Sequence, residues 1–429
     1  MSNPVLNLIS GLPHCSVLRA SSIPDSPPST FHLPLTNLFT SGVFTGIIFI
    51  RIKMKLRIVV LGAGFGGLEL STILSERIGD RMELTLIDQN DTFYFGFSKL
   101  DVMFGRKPAD RVKISYSNIV KPGVKFCRET ITKIDPENRT VTTNRGKHQA
   151  DVLVIALGAD YNISATPGLA EGGNEFYSFE GAERIGKILP DFKKGHAVIG
   201  VTSTPFKCPP APSEAALLLD EYLNRKGVRQ QCKITLILPF ILPIPPSLGT
   251  SKALLKAFAE RDIDYIHENM VESIDPLKRT ANLDDGTVLP FDLFLGIPEH
   301  RVPEVVLQSG MTRNGWIPVD RTSLKTRFDN VYAIGDVASV GVPKAGMFAE
   351  GAARVAAESV IADLENVEFS LPYDGKGTCY VEFGQGKVSR VDVDFYTGSS
   401  AKGVFYEASE KIVAEKAHFE SYRRARWFA

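Results

Sequence analysis

Apolar and polar positions follow two rhythms along this chain. Ile58-Val59-Val60-Leu61 is a continuous apolar, β-branched run, which predicts a strand covered on both faces. Leu70, Ile73, Leu74 and Ile78 then fall on one side of a helical repeat. Leu84-Thr85-Leu86-Ile87 is a second apolar run that ends on Asp88. The same order returns downstream: a strand over 197–201, a helix over 213–224 with Ala216, Leu217, Leu219 and Leu223 apolar, and a strand over 233–238. Residues 151–159 and 331–336 read as further buried strands. Residues 124–134 and 140–143 read as paired strands joined by a turn at Asp135-Pro136-Glu137-Asn138. Residues 251–259 and 345–364 read as helices, and Asp285-Gly286 marks a hairpin turn. In the tail, 378–383 and 388–396 form an alternating pair around Gly384-Gln385-Gly386, followed by a closing helix over 408–422.

The turn between the first strand and the first helix carries Gly62, Gly64 and Gly67 in G-x-G-x-x-G spacing, with Gly66 beside them. Strand, glycine turn, helix, second strand and a terminal acid about 20 residues on are the full context of a dinucleotide site. Gly62 permits the tight turn, Gly64 lets the backbone approach a pyrophosphate, and Gly67 lets helix and strand pack closely. The helix start offers unpaired N–H groups and partial positive charge to phosphates, and Asp88 suits the ribose hydroxyls of an adenosine half. These parts alone do not separate FAD from NAD.

Composition narrows the class. With 429 residues, 44% apolar and 23% charged, the chain has room for two or three domains of ordinary soluble composition. Forty-nine basic residues balance forty-nine acidic ones, so there is no electrostatic case for a nucleic-acid partner. The five cysteines, Cys15, Cys127, Cys208, Cys232 and Cys379, are scattered without a C-x-x-C, which suits a reducing compartment; the expected location is cytoplasmic, with a peripheral membrane contact left open. The seven histidines show no metal-ligand spacing, and no metal is expected. The first 53 residues are rich in Ser, Pro and Leu, with Asp25 their one acid. Their longest apolar run is about half of the roughly 20 residues a membrane helix needs. They read as a disordered or targeting leader or, the favoured reading, as a mis-assigned start, with Met54-Lys55-Leu56-Arg57 leading into the first strand.

A second motif decides between the cofactors. Thr326-x-x-x-x-Val331-Tyr332-Ala333-Ile334-Gly335-Asp336 resembles the second FAD fingerprint of the pyridine nucleotide-disulfide oxidoreductase superfamily. The resemblance implies that Gly335 and Asp336 hold the ribityl chain of FAD. Ala156-Leu157-Gly158-Ala159 is similar to the family's "ATG" link, with Leu157 in place of Thr. Lys344-Ala345-Gly346 opens the long helix, whose N-terminus the resemblance points at the flavin N1/C2 edge; free N–H groups there would stabilise the charge of a reduced flavin. Lys207-Cys208-Pro209-Pro210-Ala211-Pro212-Ser213-Glu214 resembles the C-P-P-G-P-Y-E segment of the flavocytochrome c sulfide dehydrogenase flavoprotein and the matching region of sulfide:quinone oxidoreductases. Type II NADH dehydrogenases are more distant relatives of the same architecture.

The expected fold is α/β: two tandem Rossmann-like, three-layer dinucleotide-binding domains and a small C-terminal α+β unit. The expected domains are 54–165 with 300–368 for FAD, 166–299 for the second unit, and 369–429. The second unit reads Gly200-Val201-Thr202-Ser203-Thr204-Pro205 where the first has its glycines, and its next strand ends in Leu238-Pro239 without an acid. This argues against an ordinary NAD(P)H site. The apolar 239–246 loop suits a hydrophobic entrance or a packed connection.

Sulfide-oxidising relatives carry sulfur on two cysteines, one between the two units and one in the C-terminal region. Cys379 matches the second. Phe176-Tyr177-Ser178-Phe179 has no cysteine for the first, and Cys208 lies in a segment not credited with redox chemistry in those relatives, so the sequence does not demonstrate a pair. The expected activity is an FAD-dependent oxidoreductase, with Cys379 and Lys344 as its reactive residues. Electrons would pass from a small-molecule donor such as sulfide to a quinone or a protein carrier. An NAD(P)H:acceptor reductase and a non-enzymatic flavin-binding sensor are the alternatives. His300 is expected at a domain junction. The Arg423-Arg424-Ala425-Arg426-Trp427-Phe428 run is expected either on an anionic membrane surface or packed on the flavin domain.

Overall fold

Two five-stranded parallel sheets organise residues 55–428, which are the residues this computed structural model describes. The leader expected over 1–53 lies outside the described residues. Strand β1 (Leu56–Leu61) is the centre of the first sheet. Helix α1 (Phe65–Ile78) and strand β2 (Met82–Asp88) follow it. Val60 pairs with Leu86 on one side and with Val154 on the other, and Val124–Arg128 and Val331–Ala333 complete the sheet at its edges. The alternation of β1 explains its unbroken apolar run. Ile58 and Val60 pack with Leu70 and Leu74 of α1, while Val59 and Leu61 pack against Ile134, Val141, Val302 and Val306 on the opposite face.

The second unit repeats the design. Strand β3 (Gly195–Val201) lies between β4 (Cys232–Leu238) and Leu293–Ile297, and helix α2 (Ala211–Arg225) covers one face. Each unit also carries a three-stranded antiparallel sheet, Ile131–Asp135 with Thr140–Thr143 and Gly146–Gln149 in the first, Val271–Asp275 with Thr280–Leu283 and Val288–Pro290 in the second. Residues 124–134 therefore do not form one strand. The last ladder bond to β2 is made by the Glu129 N–H, and the Thr130 N–H turns to the Asn144 side chain at 2.9 Å, which takes the chain out of the parallel sheet.

The long helix α3 (Gly346–Glu365) ends on Asn366, which takes the left-handed conformation at φ 54° that closes helices. The tail is a three-stranded antiparallel sheet of β5 (Lys376–Gly384), β6 (Lys387–Asp394) and β7 (Lys402–Ser409). The sequence pattern shows only the first two strands. The third exposes Val404 and Tyr406, so burial never imposes an apolar rhythm on it. Helix α4 (Glu410–Phe428) runs to the end of the described chain. Its basic-aromatic end packs on the first unit. Trp427 is fully buried with ring centroids 5.4 Å from Phe65 and 5.6 Å from Phe93, and its indole N–H donates to Glu69 at 2.7 Å. Arg426 pairs with Glu69 and Glu76, and Arg423 with Glu350. Among the described residues no helix is long and apolar enough to cross a membrane.

Candidate active site

The glycine turn after β1 is built for a close approach. Gly62 has φ +98°, a conformation that favours glycine, and a Cβ there would lie 2.4 Å from the Ala156 carbonyl. A Cβ on Gly67 would lie 1.9 Å from the Gly62 carbonyl, so α1 meets the turn with no room for a side chain. Gly66 faces Ile334 instead, at 3.2 Å. Gly64 is the contrast: a Cβ there would meet no atom within 4 Å, and the same is true of Gly158. These open positions flank the space that a dinucleotide needs. Asp88 accepts from the Ala63 N–H at 2.9 Å, and the Tyr116 hydroxyl donates to the Ala63 carbonyl at 2.8 Å, so the turn is held from both sides.

The second half of the cradle comes from the other end of the sheet. Gly335, at φ +73°, turns the chain after Val331–Ala333 and presents Asp336. Three lysines converge on that acid. Burial pushes the Asp336 carboxyl up, and Lys207, Lys344 and Lys99 oppose the shift. Lys344 donates to the Asp336 carbonyl and lies 3.3 Å over the Trp316 ring; burial lowers its ammonium to about 8. Lys207 donates to the Ala159 carbonyl at 2.8 Å. Lys99 donates to the Tyr177 carbonyl, and burial lowers it to about 7. Ala345 and Gly346 open α3 with no side-chain cap, and the Phe348 N–H turns back to the Ala345 carbonyl at 3.1 Å. Of the three, only Lys344 was expected at the site; Lys207 was read only as a neighbour of the 208–214 segment, and Lys99 stands in a stretch without a motif of its own.

Two thiols lie where the second unit borders the tail. Cys208 takes the left-handed region at φ 51°, donates its N–H to the Lys344 carbonyl at 2.8 Å, and leads into α2. Cys379 lies on β5. Cys379 is among the groups that act electrically on the Cys208 thiol, a pairing that the sequence alone does not demonstrate. Glu214, in the first turn of α2, joins them: its Oε1 accepts the Glu382 N–H of β5 at 2.9 Å. Burial and Glu214 push both thiols up, Cys379 to about 12 and Cys208 further. Burial, with Glu382 beside it, raises Glu214 itself to about 7, against Lys416 and Arg106. Sequence reasoning gave Cys208 no partner and, although Glu214 ends the segment that carries the resemblance, gave it no role. The pairing depends on a strand from one end of the chain meeting a helix about 170 residues earlier, and no local pattern records that.

The second unit offers no comparable cradle. Gly200 lies inside β3, and the space its Cβ would need is filled by Val271 at 2.6 Å and Phe294 at 3.1 Å. The following loop lines a cleft of about 310 Å³ together with Phe206, Phe240, Trp316 and Lys344. Phe240, from the apolar loop, therefore lines a cleft mouth. His300 sits on a short strand that pairs with Asp160–Asn162, linking the units, and Cys127 lies on the edge strand of the first sheet. Among the described residues no cluster of His, Cys, Asp or Glu could hold a metal ion.

Comparison with known proteins agrees with this geometry. Residues 56–356 match the family described as pyridine nucleotide-disulphide oxidoreductase, and the chain belongs to that family. It is a flavoprotein oxidoreductase, and FAD is the cofactor; the open glycines, the Asp336 turn and the uncapped α3 N-terminus fit that group. The mitochondrial sulfide:quinone oxidoreductase of Mus musculus is 25% identical over 384 residues, 84% of this chain and 83% of its own. The sulfide-quinone reductase of Aquifex aeolicus (strain VF5) is 28% identical over 358 residues, 77% of this chain and 82% of its own. The crystal structure of the Aquifex aeolicus sulfide:quinone oxidoreductase superposes with a TM-score of 0.76 at 26% identity, over 86% of this chain and 90% of that one.

Proposed function

We propose that this protein oxidises a small reduced-sulfur donor, with hydrosulfide as the simplest member, and passes the electrons to a quinone. The Glu382 N–H bond to Glu214, which ties the strand of Cys379 to the helix that follows Cys208, carries the reading, with Cys379 acting electrically on Cys208. When the pair is a disulfide, hydrosulfide attacks one of its sulfurs. The bond between the cysteines breaks, a bond to the incoming sulfur forms, and the other cysteine leaves as a thiolate with the electron pair. The proton of the resulting persulfide goes to Glu214, whose buried carboxylate, raised to about 7, is a fitting acceptor near neutral pH. A small thiol or a second hydrosulfide then attacks the outer sulfur of the persulfide and carries it away, leaving both cysteines as thiols; FAD, when bound, would supply the two-electron acceptor through which those thiols return to the disulfide. Asp336, Lys344 and the N–H groups at Gly346 would hold it, and the lysines would offset negative charge there. The sulfide:quinone oxidoreductases to which the chain is similar support quinone as the acceptor. The filled space at Gly200 disfavours a nicotinamide donor.

Anaerobic titration of the FAD-loaded protein tests this. Sulfide is expected to bleach the flavin bands and added ubiquinone to restore them. Bleaching by NADH and not by sulfide would replace the proposal with a reductase, and bleaching by neither would remove the enzymatic reading.

A further inference from the structure

The cleft of about 310 Å³ between the two units has no part in the sulfur chemistry: among the described residues, neither thiol, nor Glu214, nor Asp336 lines it. Phe206 and Phe240 line it from the second unit, with ring centroids 6.3 Å apart and planes 28° apart, and Trp316 and Val340 line it from the first. Both sides are tied down. The Tyr265 hydroxyl donates to the Phe240 carbonyl at 2.7 Å, and the Tyr396 hydroxyl to the Val340 carbonyl at 2.5 Å. Lys344 is the one charged group among the described residues that line the cleft. Its ammonium gives one N–H to the Asp336 carbonyl and lies 3.3 Å over the Trp316 ring, which leaves donors for a guest. The loop that carries Phe240 is apolar on its outer side as well, where Ile241 is 61% exposed.

These parts select a ligand by its chemistry. Aromatic walls favour a flat ring, and a single donor at one place favours a ring that carries a carbonyl. A dinucleotide would bring two phosphates, and Lys344 is the only cation there to meet them. An exposed apolar side chain beside the cleft suits a guest that arrives from lipid. We propose that this cleft seats the head group of the quinone, with its ring against Phe206, Phe240 and Trp316 and one carbonyl oxygen accepting from Lys344. The proposal rests on the quinone reading above and gives the acceptor its place. Lys344 immediately precedes Ala345 and Gly346 at the start of α3, so the cleft abuts the cradle of the cofactor.

The test uses FAD-loaded protein and decylubiquinone, and no sulfide. The chain has two tryptophans, and Trp427 is fully buried on the first unit, so quenching by a bound quinone reports Trp316. Decylubiquinone is expected to quench the emission saturably in wild type, and the saturable part is expected to vanish in Trp316→Phe. In Phe240→Ala the concentration for half-quenching is expected to rise about tenfold, and Phe240→Tyr, which keeps the ring, is expected to bind as wild type does. An azido-substituted quinone photolysed on the same protein is expected to label peptides that contain Phe240 or Trp316. No saturable quenching, an unmoved half-quenching concentration in Phe240→Ala, or labelling confined to other segments overturns the proposal. So does displacement of the quinone by NADH or by glutathione, which would give the cleft to a nicotinamide or to a small thiol. Persistent quenching in a protein that sulfide does not bleach would sink the donor reading and leave this site standing. Reoxidation of the flavin by ubiquinone with the label elsewhere would sink the site and leave the quinone reading standing.

Discussion

The Glu382 N–H donates to the Glu214 carboxylate at 2.9 Å, and this bond ties the strand that carries Cys379 to the helix that follows Cys208. Glu214 is thereby buried next to two thiols, with Glu382 held ionised by Arg106 and Lys416 on its far side. Glu382 itself sits low, near 2; burial opposes that shift and the two cations outweigh it.

The pH dependence of stability should follow from Glu214. Its folded value of about 7 lies above the ordinary 4.5, so its contribution is fully present below pH 4.5 and is lost as pH rises towards 7. The loss is about 3 kcal/mol at full ionisation. Glu214→Gln keeps an acceptor for the Glu382 N–H and removes the titration. Urea denaturation at pH 5 and pH 8 should show wild type losing more stability than the variant across that interval. Equal losses would show that Glu214 is already ionised at pH 5.

The thiol pair makes a sharper demand. Cys208→Ala and Cys379→Ala should each abolish flavin bleaching by sulfide while leaving the flavin spectrum and FAD content unchanged. Stopped-flow absorbance on the two variants checks this. Full-rate bleaching in either one would end the two-cysteine mechanism.

Gly64 and Gly67 should separate folding from cofactor binding. Gly67→Ala places a methyl 1.9 Å from the Gly62 carbonyl and must push α1 off β1. It should lower the melting temperature of the FAD-stripped protein. Gly64→Ala meets no atom within 4 Å at an ordinary φ of −82°, so the stripped protein should melt as wild type does. Its FAD affinity should fall, because the added methyl enters the space for the pyrophosphate. Melting curves with and without FAD read both effects.

The end of α4 should behave as a structural clamp. Trp427→Ala removes a fully buried indole and should cost about 3–5 kcal/mol. Trp427→Phe keeps most of the packing but takes the donor from Glu69, which is 3% exposed, and should cost about 1–3 kcal/mol. Urea denaturation of both variants gives the ordering. An unchanged midpoint in Trp427→Ala would show that the helix end is not seated on Phe65 and Phe93.

The sequence alone determined the local elements whose physics is short-ranged. Ile58 to Leu61 had to be a doubly covered strand because its side chains alternate between two buried faces. Gly62 had to be a glycine because the turn takes a positive φ. Val331 to Asp336 announced its strand and acid for the same kind of reason. Lys344 and Gly346 were placed at the start of the long helix by its pattern, and at the flavin by the family resemblance. Tertiary structure alone decided what those elements meet. Cys208 and Cys379 are 171 positions apart in the chain, and only the docking of β5 on α2 brings them together. Lys99 and Lys207 gather on Asp336 because two units and a sheet edge close on one point, and each lysine alone reads as surface charge. Glu214 stood in the sequence only as the end of a resembling segment; burial, which no periodicity reports, raises its carboxyl to about 7. The arginines of α4 are equally ambiguous as a string of letters, and it is the buried acids Glu69 and Glu350 that decide where they go.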